Sequence, residues 1–488
     1  MPDKLHFLSV SELSEKLASR ELSPVELTRQ FLRRAEHLDP PSFDLPAEPR
    51  RKPGSQLASM ITIAREEALS AASRAEKEIG RGERRGPLHG IPYGVKDLLD
   101  SKGIRTTWGS RIFLDRVPDR NSAVVDRLES AGAILMAKNS LGEFAGGNTS
   151  TALNPWKLDR TSFGSSSGTV VSVVAGLMGF GIGTETGGSI VYPAAAVGAS
   201  GLRPTFGRVS RFGCMSLSWS LDKIGPVGRS AEDCGLILEV IAGADQRDNA
   251  TVDRVFRFRR DPGSMKGRRV GVHRAEFELS RSSVTRAAFR QALDVLDQAG
   301  LELEDIDLPP RPHGALFTNI VAVEAGTNFK PLFDDGRIAD TFPYNHERCA
   351  GWMAGSMLPS SDYLTAQRIR RQVTREADDL LSDYDVVIAP TWPNGAALKE
   401  VGDGWPIPAR PEWEPNPESR DVPRINSIAN LAGLPGIAVP CGFDADQLPL
   451  SVQIVSKAWD EQSALDVAMV FQRETDWHTR RPPYPWRS

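Results

Sequence analysis

The stretch SAVVDRLESAGAILMAKNS, Ser122 to Ser140, decides the fold class. Its first half reads as a helix, Gly132 ends that pattern, and Ala133 to Ala137 form a short apolar run of strand length. The same order recurs along the chain. Gly86 to Asp100 (GPLHGIPYGVKDLLD) has an apolar, strand-like middle with Lys96 near its end. RRVGVH, SSVTRAAFRQALDVLDQAG and LELEDIDL follow one another between residues 268 and 308 as strand, helix and strand. A long helix from Ser360 runs into a strand at Val386 to Ala389, and GIAVPCGF and LSVQIVS are two closing strands. Helix–strand alternation of this kind predicts an α/β fold with a sizeable sheet.

The N-terminal part is helical. Ser9-x-x-Glu12 is a capping box, and Ser23-Pro24-Val25-Glu26 adds a proline at the first helical position of a helix reaching about His37. Asp39 to Ser55 is proline-rich and reads as a surface loop, and Thr62 to Gly82 as an amphipathic helix ended by Gly80. Residues 393–424 hold many prolines, with Trp405 and Trp413, and predict an irregular excursion. With no repeat and no linker, the expectation is one domain over 1–488: N-terminal helices at about 9–80, a core at about 86–245 and a variable, substrate-facing region at about 325–425.

Composition excludes several functions. The 488 residues are 40% apolar and 25% charged, with a net charge of −4. No basic excess marks a nucleic-acid surface, and no apolar stretch is long enough to span a bilayer. The start, MPDKLHFLSVSELSEKL, lacks the apolar core of a secretory signal. Four scattered cysteines form no C-x-x-C pair and fit a reducing, cytoplasmic setting. Seven histidines make no H-x-x-x-H or H-E-x-x-H, so neither a metal nor a cofactor is expected.

Two serines stand out. In TETGGSIVYP, Thr184 to Pro193, Ser189 follows two glycines, a backbone that lets N–H groups converge on one spot. That fits a nucleophile beside an oxyanion hole, and fits an ordinary tight turn as well. FGSSSGTVV, Phe163 to Val171, satisfies G-x-S-x-G with Ser166 as an α/β-hydrolase-type nucleophile, but the preceding NPWKLDRTS is polar rather than strand-like. Lys96 follows an apolar run. A lysine is a base only when neutral, and burial lowers its pKa by up to ~3–5 units, so a serine activated by a desolvated lysine is a workable alternative to histidine.

The segments GPLHGIPYGVKDLLDSKGIRTTWGS, FGSSSGT and GTETGGSIVYPAAAVGASGLRPTFGRVSRFG resemble, in order and spacing, the amidase signature family. ELSPVELTRQFL, YDVVIAPTWP, NLAGLPGIAVPCGF and DWHTRRPP extend the likeness over most of the chain. The resemblance implies a large mixed sheet between layers of helices and a Ser–cis-Ser–Lys triad. Matched residue by residue, the triad is Ser189 as nucleophile, Ser165 as bridge after a cis peptide at Gly164–Ser165, and Lys96 as base. The oxyanion hole falls on the N–H groups of Thr186, Gly187, Gly188 and Ser189. Gly146, Gly147, Phe163 and Val191 are the expected substrate-binding positions. Phe163 and Ser167 replace two glycines of the family's GGSSGG, and Val191 stands where many members carry arginine. The implied function is hydrolysis of a small-molecule amide, anilide or carbamate through an acyl-serine, with neither nucleic acid nor membrane as partner and a homodimer as an allowed assembly. The alternative within the family is the glutamine-dependent amidotransferase component that serves tRNA-bound substrates.

Overall fold

The computed structural model describes residues 2–41, 57–146, 152–280, 282–342, 345–402, 405–408 and 422–483. Among the described residues thirteen strands are formed: β1 Met60–Ile63, β2 Pro92–Lys96, β3 Ile134–Asn139, β4 Phe180–Glu185, β5 Ser200–Arg203, β6 Lys223–Gly228, β7 Arg269–Val272, β8 Glu302–Asp305, β9 Val386–Pro390, β10 Lys399–Gly402, β11 Trp405–Pro408, β12 Gly436–Phe443 and β13 Pro449–Ser456. Eleven of them make one mixed sheet in the order β1-β3-β2-β4-β6-β5-β12-β13-β9-β7-β8, and β10 and β11 pair separately. The α/β class and the mixed sheet expected from the sequence are present.

The centre of the sheet explains where chemistry sits. β2 runs parallel to both β3 and β4, with Val95 opposite Ile182. Their carboxyl ends therefore open onto one edge, where the next loops gather, as in other parallel sheets. β4 alternates glycine with larger residues. A Cβ at Gly181 would lie 2.4 Å from Thr169 Cγ2, and one at Gly183 would lie 3.0 Å from Ser166 Oγ. These glycines let the helix Ser167–Val174 lie close against β4. Every residue of that helix is buried, which matches its apolar character on all faces.

Several sequence expectations need correction. Thr62 and Ile63 belong to β1, paired antiparallel with β3, and the helix begins only at Arg65. Their β-branched pairing with Lys138 and Ala137 outweighs the local helical pattern. The capping box at Ser9 and Glu12 is complete. At Ser23 only half forms: Ser23 accepts from the Glu26 N–H, while the Glu26 carboxylate accepts from Gln30 instead. The excursion at 393–424 contains the β10–β11 hairpin; Trp413 lies outside the described residues, as does the Trp405 side chain.

Candidate active site

Lys96 is the last residue of β2 and is completely buried. Its Nζ lies 2.7 Å from Ser165 Oγ, 2.7 Å from Thr184 Oγ1 and 3.4 Å from the Thr184 carbonyl. Burial pushes its pKa down to about 7, against the partial opposition of Asp222 and Glu185. A neutral amine has two N–H donors and one lone pair. The two Thr184 oxygens accept from the two donors, and the Ser165 hydroxyl is placed to donate to the lone pair. The peptide bond Gly164–Ser165 is cis. Ser166, next in line, is buried; its Oγ donates to the Thr184 carbonyl at 3.0 Å and accepts the Thr184 N–H at 3.2 Å. That hydroxyl is spent on pinning the serine loop to β4. Among the described residues no strand leads directly into it, so the strand–turn–helix context of a nucleophile elbow is missing.

The loop after β4 carries Thr186 to Ser189. Gly188 has φ +135°, a conformation open to glycine. The Ser166 N–H donates to the Ser189 carbonyl at 3.1 Å, which ties the two serine loops together. Ser189 itself is half-exposed, unlike the buried Ser165 and Ser166. Among the described residues, the N–H groups of Gly187, Gly188 and Ser189 have no acceptor. The next two N–H groups, of Ile190 and Val191, both donate to Glu185 Oε2, at 2.8 and 3.0 Å. Glu185 thereby fixes the end of the turn by its Ile190 and Val191 N–H groups.

Buried groups clamp this turn. Glu185 pairs with Arg203 at 2.8 Å, both fully buried. Burial opposes its charge, but Arg203 and Lys223 hold its pKa below the usual carboxylate range. Asn426 Nδ2 donates to the Gly187 carbonyl at 3.1 Å and to Tyr192 Oη at 2.8 Å. Thr186 Oγ1 donates to Asp222 at 2.6 Å, and Lys223 Nζ reaches the Thr186 carbonyl at 3.4 Å. The carbonyls of Thr186 and Gly187, which set the turn's direction, thus each have a side-chain partner.

A family model described as Amidase matches residues 52–465. The chain belongs to the amidase family. The A component of the glutamyl-tRNA(Gln) amidotransferase of Roseiflexus sp. (strain RS-1) is 35% identical, with 99% of each sequence covered. The peptide amidase of Stenotrophomonas maltophilia superposes with a TM-score of 0.78 at 28% identity, covering 98% of each chain. A bacterial aryl acylamidase of the amidase signature family superposes with a TM-score of 0.82 at 21% identity, covering 98% of each chain, a likeness of fold. Cleavage of C–N bonds by a Ser–cis-Ser–Lys triad is the chemistry of this family.

Of the positions expected from the sequence, Lys96, Ser165 and the 186–189 turn come together at the strand ends. Phe163, half-buried with φ +51°, stands two residues before Ser165. Gly146 is buried against Arg348, whose guanidinium occupies the space a Cβ would need. Val191 does not line the site: its side chain is wholly in the main core and its N–H is held by Glu185. Gly147 lies outside the described residues. Among the described residues no group of three or more His, Cys, Asp or Glu side chains is arranged to hold a metal, and no helix is long and apolar enough to cross a membrane. Sequence reading missed Thr184 and Glu185 as site residues, although both stand in the TETGG motif. It also missed Asn426 and Tyr192, and for Asn426 no local pattern announced the role.

Proposed function

We propose that this amidase-family chain acts alone as a hydrolase of C–N acyl bonds in small amides, anilides or carbamates, with Ser189 as nucleophile. The observation that carries this reading is the buried Lys96, its Nζ 2.7 Å from Ser165 Oγ and its pKa pushed down to about 7. A lysine so placed is a usable base at neutral pH.

Ser189 Oγ attacks the carbonyl carbon, and its proton passes to Ser165 Oγ as the Ser165 proton passes to the Lys96 lone pair. The oxygen that becomes negative faces the N–H groups of Gly187, Gly188 and Ser189; one such donor is worth about 3–4 kcal/mol. Lys96 returns its proton through Ser165 to the departing nitrogen, the C–N bond breaks and the acyl group stays on Ser189. Water then attacks by the same relay, releasing the acid, or carbon dioxide and an alcohol when the substrate was a carbamate. Esters share this tetrahedral geometry and are expected as further substrates.

A second reading is a glutamine-dependent amidotransferase component, supported by the full-length relatives of that name. The experiment that separates the two is hydrolysis by the purified chain of an aryl amide and its matching aryl carbamate, alongside glutamine and a Ser189→Ala control. Cleavage of either aryl compound, lost in the control, supports the stand-alone hydrolase. Ammonia release from glutamine alone, or only after addition of partner proteins, supports the amidotransferase.

A further inference from the structure

The proposed reaction uses Lys96 and leaves a second buried lysine unexplained. Lys223 opens β6 directly opposite Glu185 of β4, and opposed residues in an antiparallel pair put their side chains on the same face. Lys223 is 2% exposed. The charged groups around it are Glu185, Arg203 of β5, Asp222, and Arg370 of the helix Ser360–Asp383. Burial pushes its pKa down to about 7; Glu185 and Asp222 oppose that shift, and Arg203 and Arg370 add to it. A lysine taken out of water costs stability, and a methionine of similar length would fill the space without that cost. Stability alone therefore does not account for an amine at this point.

The amine is directed at the turn that carries Ser189. Lys223 Nζ donates to the Leu221 carbonyl and, at 3.4 Å, to the Thr186 carbonyl. Its neighbour Asp222 takes Thr186 by the side chain, accepting from Oγ1 at 2.6 Å. Asp222 is a fixed point, because its other oxygen accepts the N–H groups of Leu217 and Ser218 at 2.8 and 2.9 Å. A cavity of about 190 Å³ lies on this side of the turn, lined in part by Thr184, Thr186, Cys214, Leu217, Asp222 and Lys223. Where the wall opens onto a cavity, packing holds Thr186 less firmly, and the two polar contacts carry more of its placement.

Among the described residues the only cis peptide is Gly164–Ser165. The peptide joining Thr186 to Gly187 is therefore trans and planar, and its C=O and N–H point to opposite sides. Holding the Thr186 carbonyl on Lys223 turns the Gly187 N–H away from Lys223, and that N–H has no acceptor among the described residues. Asn426 acts in the same sense on the next peptide, through the Gly187 carbonyl. A neutral amine still has two N–H donors, one for each carbonyl, so the hold on Thr186 survives loss of the Lys223 proton.

We infer that Lys223 and Asp222 form a two-point clamp on Thr186 that aims the Gly187 N–H at the developing oxyanion, which makes both of them positioning residues for the reaction at Ser189. This rests on Ser189 as the nucleophile.

The test begins with methanesulfonyl fluoride, which forms an S–O bond to Ser189 as fluoride leaves and requires no knowledge of the natural substrate. In Lys223→Met the rate of this labelling and the kcat for an aryl amide are expected to fall about tenfold, with KM within about twofold, because a misdirected donor is missed in the transition state rather than in the bound substrate. The rising limb of the pH profile near pH 7 stays, since Lys96 sets it, and only the plateau drops. The denaturant midpoint stays level or rises. Thr186→Val keeps the shape of residue 186, loses the bond to Asp222, and is expected to lower kcat in the same direction. Labelling and kcat equal to the parent in both variants overturn the clamp. So does a KM that rises as much as kcat falls, or a Lys223→Met profile that has lost its rising limb. Should Lys223→Met not fold by circular dichroism, Thr186→Val decides by the same readouts. A folded parent chain that is neither labelled at Ser189 nor active on any amide overturns the hydrolase reading, and the clamp's role with it.

Discussion

At the scale of single residues, Lys96 determines how the site responds to pH. Its pKa is about 7 in the folded chain, against a reference near 10.5. Since the base must be neutral, kcat/KM rises with pH along a limb of apparent pKa near 7 and then levels off. Lys96→Met abolishes that limb and lowers kcat by at least about 10²–10⁴-fold. The same shift links to stability. Between about pH 7 and 10.5 the folded chain binds fewer protons at this site than the unfolded chain, so its contribution to stability rises with pH across that window. Denaturant titrations at pH 7 and pH 9 check the sign: the parent gains more from the pH change than Lys96→Met does. Ser166 makes the contrasting case, because among the described residues its hydroxyl bonds only to the Thr184 backbone. Ser166→Ala is expected to cost about 1–2 kcal/mol of stability and to keep activity within about tenfold. A dead but stable Ser166→Ala protein would restore Ser166 as a candidate nucleophile.

At the scale of elements, several strands and helices of the first half were legible because their patterns are local. Pro92–Lys96, Ile134–Asn139 and the helix Pro24–Leu38 follow the sequence reading closely. β4 was not separated from the apolar helix before it, since Val170 to Phe180 is apolar on every side and carries no period. The site divides in the same way. Lys96, Ser165 and Ser189 stand in motifs visible in the sequence, whereas Asn426 is 239 residues from the Gly187 carbonyl it holds. Its helix, Ile425–Ala432, reads simply as apolar and buried. That helix therefore positions the turn through two amides, Asn426 on the Gly187 carbonyl and Asn430 on Glu185. Asn426→Ala frees the Gly187 carbonyl and the Tyr192 hydroxyl together, so kcat is expected to fall by about 10–100-fold, because the oxyanion donors lose their fixed direction. Asn426→Asp keeps the shape but loses both donated bonds, and is expected to fare no better. Unchanged kcat in Asn426→Ala, at full secondary structure by circular dichroism, would show that the turn holds itself.

At the scale of the whole molecule, one buried knot joins distant parts of the sheet behind the site. Arg203 in β5 donates to Glu185 at 2.8 Å, to Asn426 at 2.9 Å, to Gln453 of β13 at 3.2 Å and, through Nε, to the Leu434 carbonyl at 3.0 Å. Asn430 adds a bond to Glu185 at 3.0 Å. The strands β4, β5 and β13 and the helix Ile425–Ala432 thus converge on one guanidinium, and the turn that carries Ser189 hangs from the Glu185 end of the same cluster. A buried ion pair adds little net stability over an apolar core, but removing one partner strands the other charge. Arg203→Met therefore leaves Glu185 without its guanidinium in the interior, and the expected loss is about 3–5 kcal/mol, seen as a lower denaturant midpoint. Arg203→Met combined with Glu185→Gln removes the stranded charge and recovers part of that stability. It does not recover activity to the same degree, because the amide of glutamine accepts the Ile190 and Val191 N–H groups more weakly than a carboxylate does. If the single variant were as stable as the parent, the cluster would not be what couples the catalytic turn to the rest of the sheet.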